Sequence, residues 1–369
     1  MNRYDNSTTR VKTGRVASTI AGELREAIVG GQYLAGEFLP SVRSLMASSG
    51  SASMTVRRAL KLLESEGLAQ AEKKGYRVLA GATDPERGCP LAYVICREQN
   101  PEQWSFFIKA IFDAFHEATA RRGWSLLAQG TVGLTHEQIV EGLRGGRVSG
   151  VILDSHDESL IAAVREAQLP MVMADAWVEG SGIDSILQDG HQAGVLAARY
   201  LAGRGCKRLG WFGTTSHYRD RFGGTVVGIA SEGYEIVPEL LVATEDRMEE
   251  AAKVNAAKAL LSRPDRPDGI ISLWRDKAMA VKQAGDELGL KQGRDYHLVG
   301  WCPEELYQTY WHAQFDKEEP APAICWSIRT MAEIALSRLA ERRANPELPP
   351  LRVCVPTWLR RGEPKGTHP

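Results

Sequence analysis

Apolar positions in the first eighty residues recur at helical spacing and then give way to short strand-like runs. In RVASTIAGELREAIVGG, Val16, Ile20, Leu24 and Ile28 are spaced by four, which predicts an amphipathic helix stopped at Gly30-Gly31. A second, short helix is expected after Pro40, with Ser41 as N-cap, Val42, Leu45 and Met46 on its pattern, and Arg43 exposed in its first turn. It should end before the Ser48-Ser49-Gly50-Ser51 turn. From Ser53, the run SMTVRRALKLLESEG aligns Val56, Ala59, Leu60 and Leu63 on one greasy stripe, so Arg57, Arg58 and Lys61 must point elsewhere. Gly67 closes that helix, and AQAEKKGYRVL then supplies two strand-like pieces around Lys73, Lys74 and Gly75, a hairpin with positive charge at its tip. Three helices and a basic hairpin make a winged helix-turn-helix.

The pattern changes again at GATDPERGCP, residues 81–90, where Gly, Pro and charge replace periodicity and a linker is expected. Beyond it, continuous apolar runs alternate with helical stretches: LAYVIC (91–96), WSLLA (124–128), GVILD (150–154), PMVMAD (170–175), RLGWFG (208–213), GIISLW (269–274) and HLVGW (297–301). Apolar strands separated by helices predict parallel sheets buried on both faces, an α/β architecture whose ligand site lies at the carboxyl ends of the strands. The predicted organisation is a DNA-binding domain over 1–80, a linker over 81–90, an α/β domain over 91–362 and a disordered tail over 363–369.

Charge sharpens the first of these. Residues 1–81 hold 12 Lys+Arg against 7 Asp+Glu, whereas the other 288 hold 33 against 39. An exposed Arg-Arg pair is more often a solvated surface than a groove reader. Here, however, the cation excess is confined to the module carrying the reader helix, as phosphate binding would require. Several classes are disfavoured. No run reaches membrane-spanning length, and the polar start MNRYDNSTTRVKTGR lacks a signal-peptide core, so a cytoplasmic protein with no membrane partner is expected. The cysteines Cys89, Cys96, Cys206, Cys302, Cys325 and Cys354 form no C-x-x-C pair and have no His partner at metal spacing, which favours reduced thiols over zinc or disulfides. With no catalytic triad, Walker loop or dinucleotide fingerprint, neither an enzyme nor a cofactor is expected.

The strings LPSVR, TVRRAL and LESEGL within residues 15–79 resemble the winged-helix domain of the GntR family of bacterial transcription regulators. That resemblance implies DNA contacts from Arg43, from Thr55 and Arg57 of the third helix, and from the Lys74-Gly75 wing tip; Ser53, Arg58 and Lys73 beside them are further candidate DNA-binding residues. Ser53 stands where the family often has a basic residue, so a bidentate guanine contact is lost there. Residues 91–362 resemble the effector domain of the LacI family, itself similar to periplasmic sugar-binding proteins. The match is carried by SFF from Ser105, VSGVILD, LPMVMADAW, DGHQAGVLAARYLAGRGCKRLGWFG, Arg221 followed by Gly224, the Asp276 to Ala278 turn, LVGW, and VPTWLRRG. It implies two similar lobes hinged around a small molecule, and a homodimer formed by this domain.

The same resemblance places Asp154, Asp175, Arg221 and Arg275 in the cleft, and turns Trp104 and Phe107 towards it. Strand-end carboxylates and guanidinium groups suit hydroxyl-rich ligands, although each Asp could instead cap a helix or turn. Asp189 and Asp276 are assigned to that capping role. Two positions depart from the family: Arg275 replaces a common Asn, and Cys302 replaces an Asp. A cation gained and a carboxylate lost point to an effector with an anionic group, such as a sugar acid or sugar phosphate, while Asp154 and Asp175 remain available for plain hydroxyls. The expected function is a ligand-responsive repressor that binds a pseudo-palindromic double-stranded DNA operator as a dimer and is modulated by a carbohydrate-like effector. The alternative is a cytoplasmic sugar sensor whose winged helix serves protein interaction.

Overall fold

The computed structural model describes residues 6–361 except 30–31, 35, 80–88, 98, 177, 216–218, 246–247 and 316–320. Most of the expected linker and all of the expected tail lie outside the described residues, as does the Gly30-Gly31 stop. The chain divides into two compact units, Met1–Leu91 with Thr119–Leu126, and Ala92–Ala118 with Leu127–Pro369.

In the first unit, helix α1 (Asn6–Val29) buries Ala17, Ile20, Ala21, Leu24 and Ile28. Val16, expected on the same stripe, is 43% exposed. At 3.6 residues per turn each four-residue step drifts by about 40°, so three steps back from Ile28 leave the buried face and Ala17 takes the place. Helix α2 (Val42–Ser49) starts as expected: the Ser44 N–H donates to the Ser41 hydroxyl at 3.1 Å, and Gly50 ends the helix at φ +63°. Helix α3 (Ser53–Ser65) buries Val56, Ala59, Leu60 and Leu63. Strands β1 (Ala69–Glu72) and β2 (Gly75–Val78) pair antiparallel, Glu72 opposite Gly75, and residues 37–39 join the outer side of β2 through Leu39 N–H to Tyr76 O and Val78 N–H to Glu37 O, both 2.8 Å. Glu64 of α3 accepts from the Ala71 N–H at 3.1 Å, fixing the hairpin to that helix.

The second unit contains two six-stranded sheets. In the first lobe β3 (Pro90–Ile95), β4 (Ser125–Gly130), β5 (Gly150–Asp154), β6 (Met171–Ala174), β7 (Asp184–Gln188) and β13 (Arg352–Val355) run in the order β13-β7-β6-β5-β3-β4. In the second, β8 (Leu209–Gly213), β9 (Leu241–Ala243), β10 (Gly269–Ser272), β11 (His297–Trp301), β12 (Ala323–Cys325) and β14 (Trp358–Arg360) run β14-β12-β11-β10-β8-β9, with β14 antiparallel to β12. Helices α4 (Phe106–Arg121), α5 (His136–Gly145) and α6 (Glu158–Glu166) follow strands of the first lobe. Helices α7 (Gly190–Gly203), α8 (Arg219–Ser231), α9 (Glu250–Leu261) and α10 (Arg275–Glu287) belong to the second, and α11 (Ile328–Ala344) returns to pack on β6 and β7. The chain therefore crosses between lobes three times: after β7, after β12 and after β13. The two-lobed α/β expectation is met.

Two features hold this arrangement. Buried Asp184 accepts from Arg338 Nε and Arg342 Nε of α11, both at 2.9 Å, and from the Leu351 N–H at 2.8 Å, tying β7, α11 and the approach to β13 together. Helices α7 and α8 meet through glycines: a Cβ on Gly194 would lie 2.2 Å from Thr225 N, and one on Gly224 would lie 2.2 Å from His191 O. Such an approach exists only because neither residue has a side chain. Among the described residues no helix is long and apolar enough to cross a membrane.

Candidate functional site: an interlobe cleft and a cationic helix face

A cavity of about 910 Å³ opens between the lobes at the carboxyl ends of β3, β5, β6, β10 and β11. This is where parallel α/β sheets present ligand groups, because the loops after the strands converge there. Asp154, Asp175, Phe107 and Arg275 line it, together with Arg97, Trp274, Lys277, Trp301, Cys302 and Tyr310. Trp104 and Arg221 are not among the lining residues: Trp104 is buried edge-on against Phe112 at 5.6 Å, and Arg221 is buried behind Asp175, with which it pairs.

The carboxylates differ in environment. Asp154 accepts from the Tyr93 hydroxyl at 3.0 Å, and burial, reinforced by the nearby Asp175 charge, pushes its carboxyl up to about 7. Asp175 is bound across the lobes by Arg221, whose Nη2 donates to its Oδ1 at 3.1 Å, and within its own lobe by Gln188, whose Nε2 donates to the same oxygen at 3.2 Å. Burial raises the Asp175 carboxyl, and the Arg221 charge and the Gln188 bond offset this only in part. Gln188 in turn accepts from Trp301 Nε1 at 2.6 Å, a second link between lobes. At the start of α8, Asp220 pairs with Arg352 of β13, so neighbouring residues of opposite charge both reach the first lobe.

Apart from the exposed Arg97, the cations fall into three groups. Arg221 is committed to Asp175, and its guanidinium lies 4.8 Å from the Trp274 ring. Lys277 and Lys253 share Asp276, with Nζ–Oδ2 distances of 3.1 and 2.8 Å. Burial alone would raise the Asp276 carboxyl, but these lysines outweigh it and hold the group below its usual range. Asp276 thus does not cap α10 as expected. The N-cap position is Trp274, which makes no side-chain capping bond, and the carboxylate neutralises buried lysines instead. Arg275 stacks 4.5 Å from the Tyr310 ring, and its Nε is buried without a hydrogen bond. Asp189 does cap α7, accepting from the Gln192 N–H at 2.9 Å.

Two lining residues adopt left-handed backbone, Asp175 at φ +50° and Trp274 at φ +68°. Such conformations cost on the order of 1–3 kcal/mol each and persist where surrounding contacts over-determine them. Trp274 has those contacts in Phe107 at 5.3 Å, Trp326 at 6.0 Å and Arg221. Cys302 is buried, and burial pushes its thiol up to about 12, so it stands in the cleft as a neutral group. The site combines directed donors and acceptors with aromatic faces, which suits recognition of a polar ring-bearing molecule.

On the winged helix, Arg43, Arg57, Arg58, Lys61, Lys73 and Lys74 are exposed. Ser53 is half-buried, and Thr55, expected to meet DNA, is 4% exposed and joins the buried side of α3. Gly75 has φ +142°, and a Cβ there would lie 3.7 Å from Phe38, whose ring also carries the Arg77 guanidinium at 5.0 Å. Tyr93, Gln188, Lys277 and Tyr310 were not legible as site residues. Tyr93 sat inside an apolar strand pattern, and Tyr310 lies in a π-helical turn (Tyr307–Trp311) between β11 and β12 that leaves no periodic signal.

Residues 91–294 match the family described as periplasmic binding proteins and sugar binding domain of LacI family, and residues 16–78 match bacterial regulatory proteins, gntR family. The chain belongs to the LacI-type periplasmic-binding-protein family and carries a GntR-type winged helix at its N-terminal end. The HTH-type transcriptional repressor PurR of Shigella sonnei (strain Ss046) is 26% identical over 209 residues, covering 54% of this chain and 60% of the relative. The PurR of Escherichia coli O139:H28 gives the same figures. The chain thus spans about 60% of the length of these curated relatives. In fold it is similar to the transcriptional regulator CelR in its cellobiose complex, with TM-score 0.64 and 18% identity over 88% of this chain and 99% of that one. Transcription regulator CcpA of Lactococcus lactis gives TM-score 0.63 and 14% identity over 76% and 100%.

Proposed function

We propose that this protein is a ligand-responsive transcription regulator that binds double-stranded operator DNA through its winged helix and a carbohydrate-like effector in its cleft. The relatives named as transcriptional repressors support the class, and the cellobiose bound by CelR supports a carbohydrate as the kind of molecule to test. The effector carries an anionic group as well as hydroxyls. The observation behind this is Arg275, a lining guanidinium stacked on Tyr310 whose buried Nε has no hydrogen bond. An unmet buried donor costs about 1–3 kcal/mol, more when the group is itself charged, and a carboxylate or phosphate oxygen would relieve it. Asp154 and Asp175, the latter held by Arg221, serve the hydroxyls. The anion is assigned to Arg275 and not to Arg221, because Arg221 pairs with Asp175 and is not among the lining residues.

As a homodimer the protein would present two winged helices to half-sites about one helical turn apart, or a multiple of it. The test is calorimetric titration of the full chain with glucose, cellobiose, gluconate, glucuronate and glucose 6-phosphate. Binding of an acid or phosphate that is lost in Arg275→Ala supports the assignment. Tight binding of a neutral sugar with none of its charged counterpart would refute the anionic part.

A further inference from the structure

Met54 is the most exposed large apolar side chain among the described residues, at 76% of its full accessible area. It occupies the second position of α3, three, four and seven residues before Arg57, Arg58 and Lys61, so these four share the face opposite Val56, Ala59, Leu60 and Leu63. A single exposed Met is ordinary on a protein surface. This one heads a cationic stripe, in the module that holds the chain's excess positive charge. Around it the other early residues of α3 are withdrawn: Ser53 is half-buried, and Thr55 is 4% exposed. Among the first three residues of the helix, only Met54 projects fully.

We infer that Met54 is a base-reading residue, packing its thioether and methyl group against thymine 5-methyl groups in the major groove while the stripe behind it meets phosphates. The inference rests on the DNA-binding reading above. Its chemistry follows from the groove itself. A methionine side chain offers no hydrogen-bond donor and at most a weak acceptor, and the thymine methyl is the one apolar group that base pairs present on that edge. A cationic helix face complements the phosphate backbone, which makes nucleic acid the occupant that fits this surface as a whole.

In vitro selection by the full chain from a random double-stranded pool supplies the duplex, and each thymine in it is then replaced singly by deoxyuridine, which removes only the methyl. Fluorescence anisotropy is expected to show one or two positions per half-site where deoxyuridine weakens wild-type binding about fourfold, the equivalent of roughly 0.8 kcal/mol for one buried methyl-sized group. Met54→Ala should weaken the parent duplex by a similar factor and lose sensitivity at those positions, whereas Met54→Leu should retain it. The salt slope, set by phosphate contacts, should not change. A deoxyuridine penalty at no position, or one that persists undiminished in Met54→Ala, would overturn the role of Met54 while leaving DNA binding intact. Recovery of no preferred sequence by the wild type would overturn the reading on which it rests.

Discussion

Replacing Arg221 by Met removes the cation from Asp175 while keeping much of the side-chain volume beside Trp274. The two side chains are 5% and 11% exposed, so the pair is little screened by solvent. Deleting one member of a buried pair typically costs about 3–5 kcal/mol, because the other charge is left uncompensated. Here the lower end applies, since Gln188 still donates to Asp175 and the carboxyl can take up a proton. At roughly 2–4 °C per kcal/mol, the melting temperature of the variant should fall on the order of 10 °C near pH 8. The fall should also depend on pH. Burial already raises the folded-state Asp175 carboxyl above its ordinary 3.8, and loss of Arg221 raises it further. An acid raised in the folded state exacts no penalty below its unfolded value, and an increasing one as pH climbs towards the folded value. The gap between variant and parent should therefore be small near pH 4 and widen upwards, and Asp175→Asn in the Arg221→Met background should recover part of it. Tryptophan-fluorescence melts across that range provide the measurement. An unchanged melting temperature at pH 8, or an equal fall at both ends, would refute the claim that this ion pair fastens the lobes.

Three further outcomes are expected. Gly224→Ala places a Cβ 2.2 Å from His191 O, a backbone atom that cannot swing away, so α7 and α8 must separate at a cost of at least about 1–3 kcal/mol, measurable as a lowered melting temperature. Tyr93→Phe removes the hydroxyl that steadies ionised Asp154; a charge-assisted bond of about 1.5–3 kcal/mol corresponds to a rise of about one to two units from about 7, to be followed by carboxyl carbon NMR, and no upward movement would contradict the assignment. Arg57→Ala should weaken DNA binding at least about tenfold in an anisotropy titration with effector affinity unchanged, and coincident loss of both would argue against separable modules.

What the sequence made legible was whatever periodicity or special residues enforce. The α3 stripe, the Ser41 cap and the seven apolar strands each leave a local signature, and each formed as expected. Strand β7 (DSILQ) escaped because three of its five buried residues are polar: Asp184 and Gln188 are satisfied by distant partners, Arg338 with Arg342 and Trp301, and the Ser185 hydroxyl donates to the Ile183 carbonyl. The short strands β9, β12 and β14 offer three residues apiece, too few for a pattern. In the cleft, strand-end position marked Asp154 and Asp175, but no local rule could say that Arg221 would spend its charge on Asp175, or that Asp276 would serve two lysines instead of capping a helix. Arg221 lies 46 positions from Asp175 and Lys253 lies 23 from Asp276, so the assembled domain determines these pairings and local sequence does not.

Occupancy of the cleft is expected to change affinity for DNA. The most direct measurement is an anisotropy titration of the selected duplex with full-length protein, with and without the saturating anionic sugar identified by calorimetry. A shift in DNA dissociation constant of about 5- to 150-fold, the range of a coupling free energy of about 1–3 kcal/mol, is the expected result, and it should vanish in Arg275→Ala. An identical DNA dissociation constant with the cleft demonstrably filled would show that the cleft and the winged helix are not coupled.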